Sequence, residues 1–172
     1  MDFLARFRVA LGWVCAPLVL ILANPSRESL VVGAVVGAVG EGIRIWAAGH
    51  LYKAREVTSS GPYKFFAHPL YVGSSVMGVG LALASANLLA AGLIALYLGV
   101  TLHAAVKSEE AFLRRAFGDE YVLYKQQRSV NTTRRFSVEQ AIANREYRAL
   151  VGLVAAMLLL ALKATYNVSF GG

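Results

Sequence analysis

The chain has one cysteine among its 172 residues, Cys15, and that cysteine lies inside an apolar run. A single thiol excludes an intrachain disulfide framework and a cysteine-based zinc cluster. Histidine is nearly as scarce. His50, His68 and His103 stand far apart, without the short spacings that metal ligands on one element share. Acidic residues number only 10 against 17 lysines and arginines, which gives a net charge of +7. In a soluble chain that surplus would suit a nucleic-acid partner. Here the basic residues fall between apolar segments, so their distribution matters more than their sum, and no nucleic acid is expected. Internal repeats and low-complexity tracts are also lacking.

What the chain has in quantity is apolar length. Hydrophobic residues make up 57% of it, and several stretches approach the roughly 20 residues that a bilayer-spanning helix needs. Length and composition predict a single domain over residues 1–172, all-α, an integral membrane bundle of about five transmembrane helices with cytoplasmic helical segments. The expected spans are 9–23, 30–48, 69–86, 88–106 and 149–166, with a polar cytoplasmic segment at 107–148. The first apolar stretch resembles a signal peptide, with Arg6 and Arg8 before it. Ala23-Asn24-Pro25 is a poor cleavage context, so a retained first helix is the expectation.

Local signals refine the plan. Gly33 and Gly37 form a small-xxx-small pair in span two, and Gly73, Gly78, Gly80 and Ala82 offer close approach in span three. Asn87 is the polar break between spans three and four, which predicts a tight hairpin. Ser108 reads as the N-cap of a separate helix from Glu109 to about Phe117, closed by Gly118, and Ser137 as the cap of a helix over 138–147. With the N-terminus inside, the cytoplasmic side collects 15 basic residues and the opposite side only Arg27 and Lys163. That places the N-terminus, the connection between spans two and three, and the segment 107–148 on the cytoplasmic face.

The polar residues of that face are the candidates for chemistry. Gly61 to Gly73 packs two prolines, two tyrosines and His68 into a short, rigid connection, in which Pro69 moves His68 out of the helical region. Glu41 and Arg44, three apart on span two, read either as an ion pair facing other helices or as a pair that orients His50 or Lys53. Glu109 and Glu110 read either as helix-start carboxylates favoured by the macrodipole or as ligands for a hydroxyl-rich or cationic group. Tyr121 and Tyr124 suit interfacial anchoring, His103 a hydrogen-bonded position inside the bundle, and Lys163 a snorkelling one.

Taken together, Arg44-x-Trp46-Ala47-x-Gly49-His50-Leu51-x-Lys53, Gly61-Pro62-Tyr63, His68-Pro69-x-Tyr71-x-Gly73 and Glu109-Glu110-x-x-Leu113-x-x-x-Phe117-Gly118-x-x-Tyr121-x-x-Tyr124 resemble the isoprenylcysteine carboxyl methyltransferase family. That family is a branch of the membrane methyltransferases that also include the phospholipid methyltransferases. The likeness covers about half the chain, from Arg44 to Val130. It implies an S-adenosylmethionine site facing the cytoplasm and a lipid-like or prenylated acceptor arriving through the bilayer among the membrane lipids. Tyr63, Tyr71 and Tyr121 would wall the adenine, Glu109 or Glu110 would take the ribose diol, and His50, His68 or Lys53 would take the amino-acid carboxylate. Gly73 would let the cofactor approach the helix backbone.

Nearest the reaction, the resemblance implies His68, Glu110 and Lys64. Ala67 stands where the isoprenylcysteine branch usually carries arginine, and a second arginine is lacking before Glu109. Lysine at 64 or 107 would replace their charge without the bidentate fork. Methylation of a phospholipid amine is the enzymatic alternative. A sterol-reductase-like NADPH oxidoreductase and a non-catalytic membrane protein are the alternatives of other classes.

Overall fold

The computed structural model describes the backbone of residues 2–52, 58–125 and 135–170, and the side chains of residues 10–52, 58–118 and 135–167. The described residues form six α-helices and one 3-10 turn, and among them there is no strand. The helices are α1 (Asp2–Leu22), α2 (Arg27–His50), α3 (Pro69–Ser85), α4 (Leu88–Lys125), α5 (Val138–Ala143) and α6 (Tyr147–Phe170), with the 3-10 turn at Gly61–Lys64. Among the described residues three segments are long and apolar enough to cross a membrane: α2, α4 as far as Gly118, and α6 as far as Asn167. Ala10–Leu22 and α3 are shorter apolar helices. The 24 residues of α2 extend about 36 Å at 1.5 Å per residue, more than the ~30 Å hydrocarbon core. The 17 residues of α3 reach only about 25 Å on the same rise.

Helix ends follow the predicted signals where those signals are strong. Ser26 Oγ accepts from Ser29 N at 3.1 Å while Ser29 Oγ accepts from Ser26 N at 2.9 Å, a reciprocal cap on α2. At the α3–α4 hairpin, Ala86 turns the chain in the left-handed region and Asn87 Oδ1 accepts from Leu89 N and Ala90 N, both at 3.0 Å. Ser137 caps α5 by accepting from Gln140 N. The cap expected at Ser108 does not form. Helix α4 runs through Ser108, Glu109 and Glu110 without a break, because nothing from Val106 to Phe117 disfavours helix strongly enough to stop it. The expected end at Gly118 holds as a kink, with φ at 47°.

The bundle is built on the contact between α2 and α3. A Cβ added at Gly33 would come within 2.5 Å of the Gly80 carbonyl oxygen and 2.7 Å of Ala84 N. One added at Gly40 would meet Met77 N at 2.5 Å and the Gly73 carbonyl at 2.7 Å, and one at Gly80 would meet Gly37 N at 2.5 Å. Backbone therefore lies on backbone along the whole seam, as close-packed small residues allow in lipid. Gly73, expected to admit the cofactor, is buried in this seam against Arg44 and Gly40 instead. Gly37 presents its other side to Leu153 and Met157 of α6.

Two ends of the bundle are closed by polar contacts. At one end Lys163 Nζ donates to the Leu20 and Ile21 carbonyls, both at 2.6 Å, and Asn24 N donates to the Ser85 carbonyl. Lys163 thus caps α1 rather than snorkelling, since the last carbonyls of α1 have no intrahelical donor. At the other end α5 covers the end of α2. Gln140 Nε2 donates to the Leu51 carbonyl, Asn144 Nδ2 to those of Ala48 and Leu51, all at 2.8 Å, and Ser137 N to that of Gly49. His103 faces outward from α4, exposed, rather than into the bundle, because the inward positions of that turn are taken by Thr101 and Leu102.

Gly40→Leu and Gly80→Leu should each lower stability by about 1–3 kcal/mol, the usual cost of overpacking, read as a lower unfolding temperature. Gly92→Leu, at a position with nothing within 4 Å, should not lower it.

Candidate active site

The chemistry-bearing side chains gather where α3 begins and α4 leaves the apolar part of the bundle. Pro69 opens α3 and holds His68 at φ −136°, ψ 65°, outside the helical region. The imidazole therefore projects across the first turn of α3 toward α4. There Nδ1 lies 3.6 Å from Glu109 Oε2 and Nε2 lies 3.4 Å from Glu110 Oε1. Adjacent residues on a helix point about 100° apart, yet both glutamates reach one ring because each takes a different nitrogen. The Tyr71 ring lies 5.7 Å from that of His68. His68 is the most enclosed of the three, with 15% of its side chain exposed against 37% for Glu109 and 23% for Glu110.

This clamp raises the pKa of His68 above the ordinary histidine value. The Glu109 carboxylate is the largest cause and Glu110 adds to it, while partial burial works in the opposite direction. Glu109 and Glu110 also stand in mid-helix, so a helix-start macrodipole does not account for them.

Directly beneath the first turn of α3 lies a buried ion-pair network. Arg44 Nε donates to Glu146 Oε1 at 2.6 Å, and its guanidinium also donates to the Leu70 carbonyl at 3.3 Å and to Ser74 Oγ. Glu41 Oε2 is 3.8 Å from Arg44 Nε, and neither Glu41 oxygen has a hydrogen-bond partner among the described residues. Arg44 so ties α2 to the start of α3 and to the entry of α6. Sequence reading paired Arg44 with Glu41 alone. Glu146 escaped it because the two residues are 102 positions apart, although a glutamate directly before a long apolar helix is a detectable signal.

The remaining predicted site residues separate by location. His50 is buried, donates from Nδ1 to the Trp46 carbonyl at 3.0 Å, and packs its ring 6.0 Å from that of Phe136. Gly61, at φ +58°, lies on that ring so closely that a Cβ would come within 2.7 Å of it. His50 is thus placed as a packing residue under the connection. Tyr63 is buried with Ala47, Leu51 and Leu70 rather than forming an open wall. Lys64 is exposed on the 3-10 turn, and so is Ala67 beyond it. Lys53 and the Tyr121 side chain lie outside the described residues. Within the expected set, the structure brings together His68, Tyr71, Glu109 and Glu110.

The phospholipid methyltransferase family matches residues 35–120, half of the chain, from the middle of α2 through the whole His68 cluster. The chain belongs to that family. Membership accounts for the resemblance to the isoprenylcysteine methyltransferases, which are related membrane enzymes. The chain is also 29% identical over 131 residues to the nickel-cobalt-cadmium resistance protein NccN of Alcaligenes xylosoxydans xylosoxydans, an alignment covering 67% of this chain and 60% of that protein. The chain therefore spans less than two thirds of that relative's length. No solved structure matches it. The family match stops at residue 120, so α5, Glu146 and α6 lie beyond it.

Glu146→Ala should destabilise the protein, by about 1–3 kcal/mol, because the half-buried Arg44 guanidinium loses its 2.6 Å carboxylate partner, and Glu146→Asp should recover part of the loss in thermal unfolding. A histidine whose folded pKa is raised contributes stability that is fully present below its unfolded pKa, near 6.5, and lost as pH rises through the folded value. The wild-type unfolding temperature should thus fall across that interval more than that of His68→Asn, and Glu109→Gln should move the imidazole titration, followed by NMR, back toward the ordinary value.

Proposed function

We propose that the protein transfers a methyl group from S-adenosylmethionine to an amine-bearing membrane lipid. The observation that carries this reading is the His68 imidazole held between Glu109 and Glu110 inside the segment that belongs to a methyltransferase family. The residues fit the cofactor's chemistry. Carboxylates at 109 and 110 can accept hydrogen bonds from a ribose diol or an ammonium group, an imidazolium at 68 can donate to a carboxylate, and the Tyr71 ring offers a face to a cationic sulfur. Bound there, S-adenosylmethionine supplies a methyl group on a sulfonium centre.

The chain's own contribution is position and proton management. An acceptor nitrogen needs its lone pair, so its proton has to leave, and Glu110, oriented by His68, is the group proposed to receive it. Alignment of the two reactants and exclusion of water supply most of the remaining rate, without covalent participation by the protein.

An amine acceptor is favoured over the carboxylate of a prenylated cysteine by the charges at the site. Ala67 is exposed where an arginine would be expected, Lys64 is exposed on the 3-10 turn, and Arg44 is committed to Glu146 and α3. Two carboxylates at the centre suit a cationic head group. By the 15-to-2 distribution of basic residues, the site belongs on the cytoplasmic face of the membrane. A contribution to metal resistance, the property in the name of the NccN relative, would then act through lipid modification. Among the described residues no group of three or more His, Cys, Asp or Glu side chains is placed to hold an ion.

The test is cofactor-dependent stabilisation followed by product analysis. S-adenosylhomocysteine at 100 times its Kd should stabilise the detergent-purified protein by about 2.7 kcal/mol, and Glu110→Ala and His68→Ala should lose most of that shift. No shift in the wild type sinks the proposal. In lipid nanodiscs, methyl label from S-adenosylmethionine should enter the lipid extract in a base-stable form, as an N-methyl group. Release as methanol on mild base treatment would instead identify a methyl ester and a carboxylate acceptor.

A further inference from the structure

The segment around α5 is built inside out. Three of its polar side chains point inward: Gln140 and Asn144 donate to the last carbonyls of α2, and Glu146, buried, holds Arg44. Its large apolar side chains point outward, with Val138 62%, Ile142 59% and Tyr147 50% exposed, and Phe136, whose ring also packs on His50, 45% exposed. A short helix resting in water would show the opposite arrangement, because exposed apolar area is unfavourable there and polar groups need no protein partner. Composition alone places 107–148 among polar cytoplasmic segments, and this part of it departs from that description.

We infer that residues 135–148 lie in the headgroup–acyl boundary of the bilayer, with Phe136, Val138, Ile142 and Tyr147 immersed and the lipid surface as their partner. Two observations select lipid over another occupant. Exposed apolar positions resume directly after the turn, at Tyr147, Val151, Val154 and Leu158 of α6, a helix long and apolar enough to span the membrane. Exposed Arg135, Arg145 and Arg148 flank the row, against one exposed acid, Glu139. That pattern of apolar centre and basic margin complements an interface containing anionic headgroups. Tyrosine at position 147 suits the same depth.

Because α5 caps α2 at the end where His50 lies against Gly61, an immersed α5 keeps that end of the bundle at headgroup level. This placement does not depend on the methyl-transfer reading and is tested without it.

The experiment uses the full chain in nanodiscs of mixed phosphatidylcholine and phosphatidylglycerol, with Cys15→Ser and single spin-labelled cysteines, Val138→Cys or Ile142→Cys. Collision rates are measured with oxygen, which partitions into the bilayer, and with a neutral nickel chelate, which stays in water. The expected result is oxygen collision exceeding chelate collision at both positions, with chelate access reduced to a small fraction of that of the unattached label. Chelate access comparable to the unattached label would place the face in water and overturn the inference. Low access to both reagents would mean that protein covers the face, a second copy or another chain, and would overturn it equally. Unfolding temperatures matching the Cys15→Ser parent confirm that the labelled proteins are folded, as expected for outward positions.

Discussion

A transmembrane bundle gains little from hydrophobic burial between its own helices, because lipid is as apolar as leucine. What holds α2 to α3 is contact itself, and contact at backbone distance requires that nothing project from the seam. Gly33 and Gly40 on one helix meet Gly73, Gly80 and Ala84 on the other, and a carbon added at Gly33, Gly40, Gly73 or Gly80 would stand about 2.5–2.7 Å from main-chain atoms of the facing helix. Everything polar at the candidate site depends on that spacing. Arg44 lies against the bare backbone of Gly73, and only from there can its guanidinium reach the Leu70 carbonyl and Ser74. Leu70 is two residues from His68, so the seam fixes the turn that presents the imidazole.

The ion pairs at this end of the bundle are unequal in number. Arg44 meets Glu146 at 2.6 Å and Glu41 at only 3.8 Å, two buried carboxylates for one guanidinium. Desolvating such a cluster is expensive, and a buried ion pair is weak evidence for net stability. Its structural effect is clearer. Arg44 joins three elements that are far apart in sequence, and Glu146 also begins the chain's last helix. The family match ends at residue 120, yet the partner of Arg44 and the donors that finish α2 come from beyond it. The core shared with the family is completed by the chain's own C-terminal third.

Sequence resolved features governed by local chemistry. Pro69 opening α3, the Asn87 turn, and the Ser137 cap each depend on residues within a few positions, and each formed where expected. Apolar length identified the helices, and the resemblance assembled His68, Glu109 and Glu110 as one group. What escaped was set by packing. Nothing near Gly73 in sequence says that its open side is taken by α2 rather than by a ligand. Lys163 looked like a snorkelling cation because its acceptors, the Leu20 and Ile21 carbonyls, lie more than 140 residues away. Ser108 looked like a cap because a serine before two glutamates usually is one, and the unbroken helix on both sides overrode that preference.

The continuity of α4 matters beyond its boundary. From Leu88 to Glu109 the helix rises about 30 Å, the thickness of a hydrocarbon core, so a span entering the membrane at Leu88 would bring both glutamates to the depth where lipid gives way to water. A carboxylate much deeper would be costly to keep charged, and one much farther out would be strongly hydrated. At the boundary it can remain charged, pair with His68, and still meet the polar end of a molecule whose tail stays in the membrane. A separate helix beginning at Ser108 could swing relative to the bundle. A single rigid rod cannot, and α3, packed on α2 through bare backbone, holds His68 on the other side of the same gap. The geometry of the clamp is therefore inherited from the close α2–α3 seam and the unbroken run of α4.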